Sequence, residues 1–151
     1  MVPIKYIPAI EAKKHTVIEQ YSLKEKEKMC LARNLFYEAR GEGEHGMVLV
    51  GHVTLNRMKS PRYPNSICEV VYQPKQFSWT MKYGRTSRPQ QKNPDVWKKT
   101  VALAERVYEE HKKGIDPTGS AKYFYNPTLA NPRWASAKTV TARHGQHVFL
   151  R

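Results

Sequence analysis

Cysteine is scarce: Cys30 and Cys68 are the only two in 151 residues. That excludes a scaffold stapled by several disulfides. The two could pair, but with a core of ordinary size the sequence favours buried free thiols. Acidic residues are also few, 13 against 26 Lys and Arg, which leaves a net charge of +13. A polyanionic partner is expected: nucleic acid, anionic lipid or an acidic wall polymer. No apolar run reaches the roughly 20 residues that a membrane-spanning helix needs. The start, Met1-Val2-Pro3-Ile4-Lys5-Tyr6, lacks the basic and apolar regions of a secretory leader. The expected site of synthesis and residence is therefore the cytoplasm, until something else opens a way out.

Chemical motifs are missing too. Six histidines are present, with His144 and His147 close together, but there is no His-Glu-x-x-His pair and no cysteine cluster. Zinc catalysis would need three well-placed ligands, so no metal or other cofactor is expected. No Gly-x-Ser-x-Gly elbow points to a serine nucleophile. The charge would suit a nucleic-acid-binding module, but no recognised signature of one is found. There is neither an internal repeat nor a low-complexity tract.

What is present reads as one domain. Residues 1–21, with two prolines, form an N-terminal extension, and residues 22–151 form the domain. Ser22-Leu23-Lys24-Glu25 has the form of a capping box and opens a helix to about Arg40, with Gly41 suited to a left-handed stop. A second helix, about Gly46 to Lys59, is apolar almost all round and so central. Its polar exceptions, His52, Asn56 and Arg57, need partners, and a structural bonding role is their default. A short helical piece ends at Tyr72. Residues 73–93 form a long basic connection, and loops of that length are commonly functional or mobile. Asn93-Pro94 caps and starts a helix to about Lys113, with Trp97, Val101, Ala104 and Tyr108 on one stripe. Three strand-like runs follow: Ala121–Tyr125, Lys138–Ala142 and Gln146–Leu150, the last two a hairpin across Arg143-His144-Gly145. A small antiparallel sheet on a helical body gives an α+β fold.

Within the first helix, Leu31, Ala32, Leu35, Phe36 and Ala39 make a continuous apolar arc. Glu38 falls at its margin, in the last turn. Partial desolvation there disfavours the charged carboxylate, and the negative end of the helix dipole acts in the same direction. Both effects move the group toward the range of a general acid. A surface glutamate beside a core stripe is the commoner meaning of such spacing, so the position marks Glu38 without assigning it.

The motif order adds specificity. Tyr37-Glu38-Ala39-Arg40-Gly41-Glu42 is followed by Leu55-Asn56-Arg57, then by Tyr72-Gln73-Pro74 with Phe77-Ser78. Later come Asp116-Pro117-Thr118-Gly119, Ala121 to Pro127, Trp134, and His144-Gly145-Gln146-His147-Val148-Phe149. In this order, over about residues 28–151, the chain resembles the SleB-type cell-wall hydrolases, the spore-cortex-lytic enzymes and their relatives. The resemblance implies a lysozyme-like domain that cuts peptidoglycan glycan strands between N-acetylmuramic acid and N-acetylglucosamine, generally as a lytic transglycosylase. It implies that the catalytic acid is the glutamate of Glu-Ala-Arg-Gly-Glu, here Glu38. A hydrolytic muramidase on the same bond is the alternative; it would need a second carboxylate or a substrate N-acetyl group. Glu42 and Glu44 are near, but Glu42 is as well suited to holding Arg40 or a backbone amide.

The family-like spacing places Tyr72, Gln73, Phe77 and Ser78 on one wall of a cleft and Tyr125 and Asn126 on the other, flanking Glu38. Two features depart from the family: the stretch after Ser78 is unusually basic, and no export signal or separate wall-binding domain is seen. A bacteriophage endolysin, held in the host cytoplasm until a membrane lesion releases it, fits that pattern. From Lys113 to Arg151 six basic residues face one acid, Asp116. With Lys82, Arg85, Arg88 and Lys92 they are expected to form a positive surface that holds a monomeric enzyme on an anionic wall or membrane.

Overall fold

A computed structural model describes the backbone of residues 9–151 and the side chains of residues 23–151. Helix α1 (Ala9–Ala39) leads through a 3-10 turn (Arg40–Glu42) into α2 (Gly43–Lys59). Short helices α3 (Ile67–Val71), α4 (Ser78–Tyr83) and α5 (Pro89–Lys92) precede the long α6 (Pro94–Lys112). Three strands close the chain: β1 (Tyr123–Tyr125), β2 (Val140–His144) and β3 (His147–Leu150), with a 3-10 turn (Arg133–Ala137) between the first two. The sheet is antiparallel in the order β1-β3-β2, so the strand that closes the hairpin is the central one. This is the expected α+β arrangement. No helix among the described residues is long and apolar enough to cross a membrane.

The core lies where α1, α2, α3 and α6 meet. Leu31, Ala32, Leu35, Phe36 and Ala39 are all buried, so the apolar arc of α1 is the face it turns inward. Helix α2 is central: buried residues run from Gly46 to Leu55 without a break. Helix α6 begins as its sequence says, with the Asn93 side chain accepting from the Val96 amide at 3.1 Å and Pro94 in the first turn. Its inward stripe is Thr100, Leu103, Ala104, Val107 and His111, with Trp97, Val101 and Tyr108 on the flank. Strand β3 brings Val148, Phe149 and Leu150 into the core.

Four local expectations are corrected. The capping-box pattern at Ser22 does not start a helix, because the α1 backbone runs unbroken from Ala9; residues 1–8 of the expected extension lie outside the described residues. The left-handed residue at the α1–α2 junction is Gly43, with φ at 79°, and not Gly41. The stretch 73–93 is not one open connection but holds α4 and α5. Cys30 and Cys68 are joined in a disulfide, with Cα atoms 5.2 Å apart, that ties α1 to α3.

The cross-link closes a loop with a sequence separation of 38 residues. Loops of that size restrict the unfolded chain substantially, so the Cys30→Ser/Cys68→Ser variant should lose about 3 kcal/mol of stability. Urea unfolding of the oxidised and reduced protein measures this directly. An unchanged midpoint on reduction would show that the bond contributes nothing.

Candidate active site

Glu38 sits in the last turn of α1, half-buried, between Tyr37 and the buried Ala39. Burial pushes its carboxyl from the ordinary 4.5 up to about 7, while the nearby Arg57 guanidinium pulls the other way. At neutral pH a large share of the molecules therefore holds a proton on Glu38, which is the state a general acid needs.

Arg57 is the charged group that faces it, a residue whose role in the site the sequence did not disclose. Only 6% of its surface is exposed, and burial lowers its own pKa. It is fixed by its surroundings. Its Nε donates to the Lys122 carbonyl at 2.7 Å and Nη1 to Gln76 Oε1 at 3.4 Å, and the guanidinium lies near the Tyr63 and Phe77 rings. No ion pair forms between Arg57 and Glu38 within 4 Å, so the cation tempers the carboxyl without locking it ionised. Arg57→Gln should therefore shift the alkaline limb of the pH–activity profile to higher pH, whereas Arg57→Lys should keep it in place. A purely structural Arg57 would lower activity at every pH and leave the limb where it was.

The neighbouring Asn56 joins two of the sequence motifs in space. Its Nδ2 donates to Asp116 Oδ2 at 3.0 Å, Thr118 Oγ1 at 3.3 Å and the Ala121 carbonyl at 2.9 Å, and its Oδ1 meets His111 Nε2 at 3.0 Å. Asp116 Oδ1 in turn accepts from the amide and hydroxyl of Thr118. The Leu-Asn-Arg and Asp-Pro-Thr-Gly segments thus brace α2, α6 and the entry to β1 against one another. This is the structural bonding expected of Asn56. Burial drives His111 down to about 4, so it is neutral at physiological pH.

Glu42 is occupied by the hairpin. It accepts from the Gln146 amide at 3.4 Å, and a Cβ at Gly145 would collide with its carboxylate. Gly145 also has φ at 55°, so both the turn and this close approach call for glycine there. Arg40 lies over the Phe36 ring at 4.4 Å and forms no ion pair with Glu42. Of the two partners considered for Glu42, the backbone amide is the one it meets.

The other expected site residues divide between surroundings. Gln146 Oε1 accepts from Asn126 Nδ2 at 3.1 Å, which sets Asn126 beside the turn that Glu42 holds. Asn126 Oδ1 also accepts from the Thr128 amide and hydroxyl. Tyr125 packs edge-on against the partly exposed Trp134, with ring centroids 5.7 Å apart. Ser78 is exposed at the start of α4, and Gln73 Oε1 is buried without a partner. Phe77, 2% exposed, is part of the core beneath Arg57 and offers no open ring face. Tyr72 borders a cavity of about 540 Å³ lined by residues of α1 and by Arg85, and Glu38 is not among its lining.

A further aromatic group is positioned next to Glu38. Helix α4 holds Tyr37 between two rings four residues apart, Trp79 at 4.7 Å and Tyr83 at 4.9 Å, both stacked. Trp79 Nε1 donates to Asn34 Oδ1 at 2.8 Å, so the clamp is anchored to α1. The Trp79–Tyr83 spacing on one short helix was the available signal, but nothing in the sequence marked that stretch as helical.

The model of the Cell Wall Hydrolase family matches residues 41–150. Glu38 lies just outside that match, so its candidacy rests on its position and environment. A spore cortex-lytic enzyme of Halalkalibacterium halodurans is 29% identical over 119 residues, 79% of this chain and 33% of that protein. The cell wall hydrolase CwlJ of Oceanobacillus iheyensis is 30% identical over 130 residues, covering 83% of this chain and 86% of that one. Among solved structures, the catalytic domain of the germination-specific lytic transglycosylase SleB from Bacillus anthracis superposes with a TM-score of 0.66 at 29% identity, over 83% of this chain and 94% of that one. The SleB catalytic domain of Bacillus cereus gives 0.67 at 29% identity, over 84% and 91%. The chain spans between 33% and 42% of the length of these spore cortex-lytic enzymes. Its sequence and its fold agree: the chain belongs to the cell wall hydrolase family.

Proposed function

We propose that this chain degrades peptidoglycan by cutting the bond between N-acetylmuramic acid and N-acetylglucosamine, as a lytic transglycosylase with Glu38 as its single catalytic carboxyl. The observation that supports this most is the pairing of a half-buried Glu38, titrating near 7, with a second carboxylate, Glu42, already engaged by the hairpin turn. The likeness to SleB catalytic domains supports the reaction class.

The chemistry needs one group in two states. Protonated Glu38 gives its proton to the glycosidic oxygen as the C1–O bond breaks and positive charge develops at C1. The resulting carboxylate takes the proton of the muramic acid 6-hydroxyl, and that oxygen closes onto C1. The product ends in a 1,6-anhydro sugar, no water is consumed, and Glu38 is protonated again. A carboxyl titrating near the working pH serves both steps, because neither state is costly to reach.

The direct test is digestion of purified sacculi. Soluble fragments should appear without any new free amino groups, since no amide is cut. Release of amino groups in step with clearing would make the chain an amidase or peptidase and overturn the proposal. We extend the reading to a bacteriolytic role in which the basic surface holds the enzyme on an anionic wall. Exposed charges act over a Debye length of about 8 Å at physiological ionic strength, so wall retention should fall as salt rises. Retention that stays flat would assign the holding to the sugar cleft. For a lysin released from inside the cell, expression should lyse a culture only when a second protein opens the membrane.

A further inference from the structure

The cavity that Tyr72 borders has a chemistry of its own. Its lining includes Lys26, Cys30, Arg33, Cys68, Tyr72 and Arg85, with Glu25 as the acid. Glu25 lies 3.7 Å from Lys28, outside this lining, so it is shared with another cation. Arg33 and Arg85 form no ion pair among the described residues, and Arg33 Nε is buried with no hydrogen-bond partner, while the buried Tyr72 hydroxyl lies beside the Arg33 guanidinium. The Arg85 guanidinium lies 4.2 Å from the centre of the Tyr72 ring. Three cations and a hydroxyl thus border a space of about 540 Å³ while the buried Arg33 Nε goes unanswered. A buried donor of this kind calls for an acceptor, and guanidinium groups match the planar, two-oxygen geometry of a carboxylate.

The cavity is also close to the candidate catalytic residue. Tyr72 meets Trp79 edge-on at 5.6 Å, and Trp79 stacks at 4.7 Å on Tyr37, the residue before Glu38. A stem peptide on a muramic acid held at Glu38 extends by at most about 3.6 Å per residue. A few residues therefore cover the distance of those two ring-to-ring steps.

We propose that this Arg33–Tyr72–Arg85 cavity binds a carboxylate of the peptidoglycan stem peptide, making it a subsite for the peptide part of a strand whose glycan lies at Glu38. The inference rests on the glycan-cleaving reading given above. It also gives Tyr72 a place in recognition, through an anion and not through a sugar face.

The test uses Glu38→Gln protein, which leaves strands uncut, and two probes free of teichoic acid: soluble glycan strands bearing stem peptides, and the same strands after an amidase has removed the peptides. Adding Arg33→Gln and Arg85→Gln should weaken binding to peptide-bearing strands about tenfold, the size expected from losing charge-assisted hydrogen bonds. Binding to bare strands should not change. Arg85 is exposed, so Arg85→Gln alone keeps the test available if the double variant folds poorly, and it should show part of the same selective loss. Equal losses on both probes, or none on the peptide-bearing one, would overturn the subsite while leaving glycan cleavage standing. A parent that bound neither probe would overturn the glycan reading and this inference together. Tight, arginine-dependent binding to a phosphodiester wall polymer, with none to peptide-bearing strands, would reassign the cavity to phosphate.

Discussion

Replacing Glu38 by Gln should lower lytic activity at least about a thousandfold while making the folded protein more stable at alkaline pH. The first effect follows from the proposed service of one group as both acid and base: an amide can neither give nor take the proton, and loss of a positioned acid–base group costs about 10²–10⁴ in rate for each role. The second follows from linkage. Folded Glu38 keeps its proton up to about pH 7, and the unfolded group loses it near the ordinary value of 4.5. Between these limits the folded state binds the extra proton, so this group's contribution to stability falls as pH rises through the window and is least favourable above 7. Glutamine does not ionise and escapes that loss. The expected gain is about 1–3 kcal/mol at pH 8, shrinking to nothing below pH 4. Thermal melts at the two pH values, beside turbidity clearing of sacculi, measure both effects on one variant. A folded variant that clears sacculi at nearly the normal rate would remove Glu38 from the mechanism, and the same experiment on Glu42→Gln would then show whether the roles are exchanged.

The second large effect concerns Asn56, which lies outside the reacting group. Asn56→Ala should destabilise the protein by about 3 kcal/mol or more. One amide joins Asp116, Thr118, Ala121 and His111, and its removal leaves the fully buried Thr118 and the largely buried His111 without that partner. Asn56→Asp should be at least as damaging, because a carboxylate would be set 3.0 Å from Asp116. Urea denaturation gives the size of the loss. A change below about 0.5 kcal/mol, the range of ordinary surface substitutions, would show that water replaces the bonds and that the brace is not what holds the sheet to the helices.

Much of this architecture was legible because local signals and tertiary packing agree. Asn93-Pro94 caps α6 in the structure as it does on paper, and the all-round apolar α2 is central because only a helix covered on every side can afford such a surface. The strand runs near the C-terminus were readable from their β-branched and aromatic residues, and the hairpin turn from Gly145. The partial burial of Glu38 was legible for a related reason: the margin of the buried arc is where a carboxyl is partly stripped of water, and helical spacing alone locates that margin.

What escaped reading depends on distant partners or on weak local patterns. The Cys30–Cys68 bond requires α3 to lie against α1 across 38 residues, a fact of packing that composition cannot supply. Ser22 to Glu25 has the residues of a cap, yet a cap is realised only where the preceding chain leaves the helix, and here residues 9–21 continue it. Helices α4 and α5 were hidden by a stretch rich in Lys, Arg and Gln with no apolar period. With them went the Tyr37 clamp and the cavity at Tyr72. Phe77 and Ser78 are adjacent in sequence but opposite in exposure, because Phe77 packs into the core with Arg57 near its ring while Ser78 faces outward.

The central claim is that one carboxyl, Glu38, cuts the glycan strand without water, and the mass spectrum of released muropeptides tests it most directly. Purified sacculi digested with the wild-type protein should yield fragments about 18 Da lighter than their hydrolysed counterparts, the loss of one water on forming the anhydro end. The Glu38→Gln protein should yield none. Fragments at the full hydrolysed mass, with reducing N-acetylmuramic acid ends, would contradict the account and require a second group to activate water.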